Sequence, residues 1–415
     1  EPHVRAQIAA LDEFDPVKEA SELVQYYTDA VKAAWPSVGS AYKLLTRNNE
    51  LFLPYRSQDG DMYIRVYGDS VSSASSAIEF RREWRVPPDI STARIFGQQL
   101  TADGHLVMVT GDGTVIALNQ AFSQSCTLQL PSLDGARPAG DLFISFVKNG
   151  LAADDQNGVY VVTRDYMHRV QWTGHRLSID EADGGWSARY PNENGKGSGT
   201  TPALMGWGRG EDRLVLITDG SRQNTAIAYW RDEIPENWKG IEGYDRRVAG
   251  IIPLNNGKAS EEVMETENTP VIYGHDAFFV NTKPANPMPD QGAPTLQWMA
   301  ENLLMNLSGH EAIGGTMIRW NSKAQHLELV WRSLRNFAGT VCTVSDAVDV
   351  LYCMGSREGQ WTLEGTDWRT GASRFVYQLG SSVRFNPFGG PLIIAPNGDV
   401  DCACMGGFGL LRISP

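Results

Sequence analysis

Histidine, cysteine and serine side chains are where chemistry would start, and few of them stand at spacings that make a centre. The seven histidines are His3, His105, His168, His175, His275, His310 and His326, and no two lie four residues apart. No helix therefore presents two imidazoles on one face, as a helical metal site requires. Iron held by four imidazoles would need them where innermost strands begin, whereas His105, His168 and His275 fall in turns or outer strands. Cys402 and Cys404 would face one side of a strand, and zinc would need two further ligands; they read as two small buried residues. Cys342 and Cys353 flank a turn around Ser345-Asp-Ala347, close enough to pair. Five cysteines leave at least one thiol unpaired within the chain. A Ser nucleophile would want a Gly-x-Ser-x-Gly elbow, and none is present. Gly197-Ser-Gly-Thr-Thr-Pro202 lacks the Lys and the helix of a phosphate loop and reads as the entry to a strand.

The elements that must position any site come from a loose repeat of strand, tight turn and strand. Residues 101–119 and 395–413 show it best, each as two apolar runs joined by Gly-containing turns. Such units bury their apolar faces on one another when stacked radially. The expectation is an all-β chain forming a β-propeller of six blades, with seven or eight as the alternative counts. The blade-like units cover roughly 92–131, 141–180, 198–254, 266–333, 338–380 and 389–415. Strands near 50–86 are expected to complete the last or contribute to closure, which removes exposed edges. Asp15 caps and Pro16 opens a helix over 15–35, with Val17, Ala20, Val24, Tyr27, Val31 and Ala34 at helical spacing. Residues 1–46 are thus a helical segment packed on a single propeller domain, 47–415. An insertion at about 283–310 holds a Pro-rich loop, 283–294, and a helix near 295–307. It either roofs the channel or packs on the outer rim.

In a propeller the start of each innermost strand points at the channel. The expected catalytic residues are Arg94, Glu267 and Arg335. Asp141, Phe143, Thr200, Trp207, Asn268, Trp298, Asn336, Phe337, Asn386 and Phe388 are expected to bind substrate, and Thr201 stands beside them. Polar groups converging among aromatics are the usual form of a small-molecule site, although each residue has an alternative structural role in capping a turn or bridging blades. A net charge of −13 argues against nucleic acid or an anionic membrane surface as partner, and no apolar run is long enough to span a bilayer. The sequon Asn306-Leu-Ser308 inclines the reading toward the secretory pathway.

Several phrases carry a resemblance: Thr201-Pro-Ala-Leu-Met-Gly206 with Leu214-Val-Leu-Ile-Thr-Asp-Gly220, Trp230-Arg-Asp-Glu-Ile-Pro235, and Trp361-Thr-Leu-Glu-Gly-Thr-Asp-Trp-Arg-Thr-Gly371. Over most of 90–415 the chain resembles quinoprotein-like propeller proteins of fungi and bacteria. Gly111-Asp-Gly-Thr-Val-Ile-Ala-Leu118 looks like a phrase of the quinoprotein dehydrogenases, but their adjacent Cys pair is absent and their repeated Trp-docking motif is not clear, so no cofactor is expected. Within fungi the chain is similar to the hetero-Diels–Alderases of tropolonic sesquiterpenoid pathways. That resemblance implies a cofactor-free enzyme. It would dehydrate a hydroxymethyl tropolone to a quinone methide and hold it against an alkene of a humulene-type partner. Arg94 and Arg335 are then the donors to the tropolone oxygens, and Glu267 the proton-transfer group. Two other readings stay open. One is a hydrolase or lactonase using Ca²⁺ held by Glu267, Asn268, Asn336 and Asn386; the other is a binding module without catalysis.

Overall fold

The computed structural model describes residues 40–415 apart from 41, 72–74, 141–142, 256–263, 285, 287–293, 308, 338, 405–408 and 415, together with 22, 25, 26 and 29. The expected helix over 15–35 lies largely outside the described residues, of which Glu22, Gln25, Tyr26 and Asp29 are helical. Most of the 283–294 loop also lies outside them. Contacts divide the chain into two compact units, 30–202 and 203–415, with 1–29 assigned to the latter.

The first unit holds three antiparallel sheets. One is β1 (Leu44–Leu45), β2 (Leu51–Arg56), β3 (Met62–Asp69) and β4 (Ile78–Arg85), paired in chain order. The next is β5 (Ile95–Leu100), β6 (Leu106–Thr110), β7 (Thr114–Leu118) and β8 (Ser125–Gln129). The third is β9 (Ala152–Ala153), β10 (Gly158–Val162), β11 (Tyr166–Trp172) and β12 (Leu177–Ser178), with β13 (Trp186–Arg189) also pairing with β11. Middle strands such as β6, β7 and β10 are buried at every position, whereas outer β8 alternates. Phe96, Val107, Val109, Val159, Val161 and Val170 join the second and third sheets in one core. Between β6 and β7, Gly113 takes φ +83°, and a Cβ there would sit 2.5 Å from the Phe146 ring. Only glycine fits that turn.

In the second unit, β14 (Ala203–Met205), β15 (Leu214–Thr218), β16 (Thr225–Trp230) and β17 (Val248–Pro253) form one sheet. An eight-stranded sheet follows. It contains β18 (Val271–Tyr273), β19 (Asp276–Val280), β20 (Ile313–Asn321) and β21 (His326–Asn336), then β22 (Thr343–Ser345), β23 (Val350–Arg357), β24 (Gln360–Asp367) and β25 (Ser373–Gly380). Helix α1 (Pro294–Leu303) is inserted between β19 and β20. One residue pair, Asn336 with Ser356, joins β21 to β23, so this sheet is two successive four-stranded meanders. The last sheet is β26 (Leu392–Ile394), β27 (Val400–Cys404) and β28 (Gly409–Ile413). Successive antiparallel meanders of this kind are the blades of a β-propeller, the expected fold. The strands of 50–86 stand as a sheet of their own, and the last sheet has three strands among the described residues.

A tryptophan at the end of the third strand recurs in this arrangement. Trp172 closes β11 and its Nε1 donates to Asp103 Oδ2 at 2.9 Å, in the turn after β5 of the preceding sheet. Trp320 stands near the end of β20 and donates to Asp212 Oδ2 at 2.8 Å, in the turn after β14 of the preceding sheet. Trp230 ends β16 and Trp368 follows β24. Asp103 also accepts from Thr101 Oγ1 at 2.5 Å and lies 3.1 Å from His105 Nδ1. Burial opposes its ionisation, yet these donors outweigh it and hold the carboxyl below its ordinary value. Each clamp pins a large apolar ring between sheets while satisfying its N–H. Such a Trp–Asp clamp is present at two meanders among the described residues.

Cys342 and Cys353 form a disulfide that crosses the β22–β23 pair. Cys402 and Cys404 are buried on one side of β27, as expected. Their thiols contact each other, which together with burial pushes the Cys402 thiol up.

Candidate ligand site beside the inserted helix

A helix leaves its last four carbonyls without internal partners, and α1 ends inside the protein. Asn386, in the turn before β26, supplies donors to two of them, and further buried amides hold carbonyls of the surrounding turns. Asn386 Nδ2 donates to Asn302 O at 2.8 Å and to Leu303 O at 3.4 Å. Asn336 Nδ2 donates to Met305 O at 2.7 Å and also lies 2.7 Å from Ser356 Oγ. Asn268 Nδ2 donates to Gly339 O. Asn306 Nδ2 donates to Gly359 O at 2.9 Å. All four amides are buried.

Apolar contacts complete the seat. Trp298 meets Phe388 edge-on at 5.1 Å between ring centroids. Met299, Leu303 and Met305 are buried, and Met305 joins Ala312 and Trp361 in one cluster. Phe388 holds φ +48°, where a non-glycine residue is uncommon. Its N–H is fixed by Asn386 Oδ1 at 2.8 Å. Replacing Asn386 by Ala removes the donor to two helix carbonyls and the acceptor for Phe388, so the urea midpoint is expected to fall by the equivalent of about 1–3 kcal/mol. A midpoint equal to wild type would show that water satisfies those groups.

Arg335 and Asn336 close β21, Phe337 follows it, and the three side chains diverge. Arg335 Nη1 donates to Glu364 Oε2 at 3.3 Å, and Nη2 to Thr366 Oγ1 at 2.9 Å and Gly371 O at 3.2 Å. Burial lowers the Arg335 pKa, Glu364 opposes that, and Arg357 adds to it. Phe337 is buried against Phe278 at 5.2 Å, with the Arg335 guanidinium 5.4 Å from its centroid. The sequence reading puts Arg335 and Asn336 at the head of an innermost strand; they lie instead at the end of a fourth strand, because β21 runs for eleven residues.

Four of the other candidates in this unit do precede first strands. Glu267 and Asn268 precede β18; Glu267 is half-buried and its N–H donates to Thr282 Oγ1 at 3.0 Å. Asn386 and Phe388 precede β26. Trp207 follows β14, is 53% exposed, and lies over the buried Arg231 guanidinium at 4.6 Å. The structure therefore brings Asn336, Asn386, Phe388 and Trp298 together around α1.

In the first unit Arg94 precedes β5 and is half-buried; burial first, and then the nearby Arg56, lower its pKa to about 10. Phe143 has the Lys148 ammonium 5.6 Å from its centroid. Thr200 is buried with its hydroxyl 3.0 Å from Ser198 Oγ, and Thr201 Oγ1 accepts from Gly150 N at 3.0 Å. Asp141 lies outside the described residues. No group of three His, Cys, Asp or Glu among the described residues is placed to hold a metal ion.

The sequence reading missed Arg357 and Glu364. Glu364 is buried in β24, and Arg357 grips it with Nε and Nη2, each at 2.8 Å. A Glu at the centre of a strand otherwise free of charge, Trp361-Thr-Leu-Glu-Gly-Thr366, is the signal that would have found them.

No protein-family model matches the chain. An uncharacterized protein of Archaeoglobus fulgidus is 32% identical over 375 residues, spanning 87% of this chain and 68% of that protein. Among solved structures, Sqt1 of Chaetomium thermophilum superposes with a TM-score of 0.53 at 11% identity, over 91% of this chain and 82% of its own. Sqt1 of Saccharomyces cerevisiae gives 0.52 at 11% identity, over 91% and 82%. The Dos1 propeller gives 0.51 at 10%, over 91% and 81%. At such identities the likeness carries the fold alone.

Proposed function

This chain belongs to the family of the uncharacterized Archaeoglobus fulgidus protein, and we propose that here the propeller serves as a cofactor-free enzyme acting on small apolar molecules. The observation that carries this reading is the seat of α1. Helix α1, which carries Trp298 and Met299, is held by the buried amide of Asn386 and, just past its end, by that of Asn336, in the same unit as a locked cation, Arg335. Such a surround binds apolar reactants, excludes water and fixes their approach. The reaction is the one that the sequence resemblance implies. A hydroxymethyl tropolone loses its side-chain hydroxyl as water, the leaving oxygen taking a proton from the Glu267 carboxyl while the ring hydroxyl gives one up that returns to that carboxylate. The quinone methide so formed then adds across an alkene of a humulene-type partner, two σ bonds replacing two π bonds. Arg335 is the proposed donor to developing oxygen charge, and Asn268, Trp298, Asn336, Phe337, Asn386 and Phe388 of the same unit are the proposed substrate contacts. The Cys342–Cys353 disulfide supports an oxidising compartment.

The test is adduct formation by the purified chain, with and without a chelator. The expected result is a single stereoisomer formed faster than in buffer, insensitive to chelator, and slowed at least tenfold by Glu267→Gln or Arg335→Ala. No adduct above the buffer rate overturns the reading, and chelator sensitivity moves the chain to the metal-dependent hydrolases. A second reading rests on the exposed Trp207 ring, which suits a binding module; loss of ligand retention in Trp207→Ala without any turnover would favour it.

A further inference from the structure

Glu364 is the centre of a charge cluster that does not balance. Its side chain is 2% exposed, and it accepts from four donors: Arg357 Nε and Nη2 at 2.8 Å each, Arg335 Nη1 at 3.3 Å and Thr362 Oγ1 at 3.0 Å. A carboxylate offers about four lone-pair sites, so this one is saturated. Two guanidinium groups share one negative charge, leaving an excess of one positive charge beside a buried wall. The two arginines oppose each other, and Arg357 contributes to lowering the Arg335 pKa.

The two cations differ in what remains of their hydrogen-bonding capacity. Arg335 is committed to Glu364, Thr366, Gly371 and Ser333. Arg357 is not. Its Nε and one Nη2 hydrogen hold Glu364, no described residue accepts from Nη1, and the side chain is 41% exposed. One edge of the fork is clamped by a buried carboxylate and the other, Nη1 with the second Nη2 hydrogen, is turned away from it. A guanidinium fixed in this way is preorganised for a planar, two-oxygen anion. Its strand position adds a neighbour. Arg357 ends β23 one residue after Ser356, whose hydroxyl lies 3.4 Å from Met305 O just beyond α1.

We propose that the open edge of Arg357, held by Glu364 and backed by Arg335, is a binding site for a planar monoanion presenting two oxygen atoms on one edge, a carboxylate or a tropolonate. The tropolonate alternative rests on the function proposed above and adds Arg357 to Arg335 as a donor to the ring oxygens. The carboxylate alternative stands without it.

The test is calorimetric titration of the full chain with tropolone, above its pKa, and separately with benzoate. The expected result is one equivalent bound, weakened by added salt. Arg357→Ala should weaken it at least tenfold, and Arg357→Lys, which keeps the charge but loses the fork, by a smaller factor. Arg369→Ala, a 74% exposed arginine of the same meander paired with Asp349, should bind as wild type. Binding of benzoate without preference for tropolone assigns the site to carboxylates. If neither anion binds wild type, or if Arg357→Ala folds and binds as wild type, the proposal falls. Should Arg357→Ala fail to fold, the Lys variant decides, equal affinity there overturning the requirement for the fork. Because the readout is binding, a site that holds the anion while no adduct forms keeps this inference and removes only the cycloaddition.

Discussion

Lowering the pH from 7 to 5 is expected to cost the folded chain about 2 kcal/mol through His168 alone. This imidazole is wholly buried on β11, with Nδ1 2.7 Å from Ser187 Oγ and Nε2 3.1 Å from Thr163 Oγ1. Neutral imidazole satisfies both hydroxyls as donor on one side and acceptor on the other. A proton added to the ring has no carboxylate partner among these contacts, and burial drives the His168 pKa down to about 3. In the unfolded chain the same group titrates near 6.5. Below that value the unfolded state binds a proton that the native state refuses. Stability is therefore full above about pH 6.5 and falls as the pH drops toward 3. The carboxylates held low in the fold, Asp103, Asp154 and Asp367, lose their contribution only below about pH 4, so the interval from 6.5 to 4 isolates the histidine. Urea midpoints at pH 7 and pH 5 should differ in wild type by the equivalent of that cost and should nearly coincide in His168→Gln. Parallel pH profiles in the two proteins would place the acid sensitivity elsewhere.

His168 also marks where sequence reasoning stops. The hairpins over 101–119 and 395–413 are legible because alternating and continuous apolar runs between Gly turns have one stable solution, a meander. The helix near 295–307 is legible from Trp298, Met299 and Leu303, and α1 covers its first part. What a side chain does at the end of a strand is not legible in the same way. Arg335, Asn336 and Phe337 are consecutive, and consecutive strand residues point to opposite faces. One ties β21 to β24, the next holds the carbonyl after α1, and the third enters the core. A rule that sends polar strand ends to a channel cannot separate these. Asn386 and Asn336 carry the same lesson, since an orphan helix carbonyl attracts an amide as strongly as a ligand does. Arg357 escaped notice because an arginine at a strand end is ordinarily solvated, and only burial of its partner Glu364 distinguishes it.

The Trp–Asp clamps were hidden by spacing. Trp172, Trp230, Trp320 and Trp368 occupy equivalent strand ends but lie 58, 90 and 48 residues apart, because insertions such as the one carrying α1 fall between them. No fixed period exposes such a repeat, although its energetics should. Trp320 is buried, packs edge-on to Trp230 at 5.5 Å and belongs to the core formed by β14–β17 with β19–β21. Trp320→Ala removes this whole ring and is expected to destabilise by about 3–5 kcal/mol. Trp320→Phe keeps most of the apolar area but leaves Asp212 without its indole donor, for a smaller cost of about 1–2 kcal/mol. Asp212→Ala removes the acceptor and strands the indole N–H, with a similar loss. If the clamp is one interaction, the Phe and Ala changes together should cost less than their sum by 0.5 kcal/mol or more, as neighbours sharing a bond do. Urea denaturation of the four proteins closes this cycle. Strict additivity would mean that the 2.8 Å contact contributes packing alone, with the hydrogen bond replaced by water at no cost.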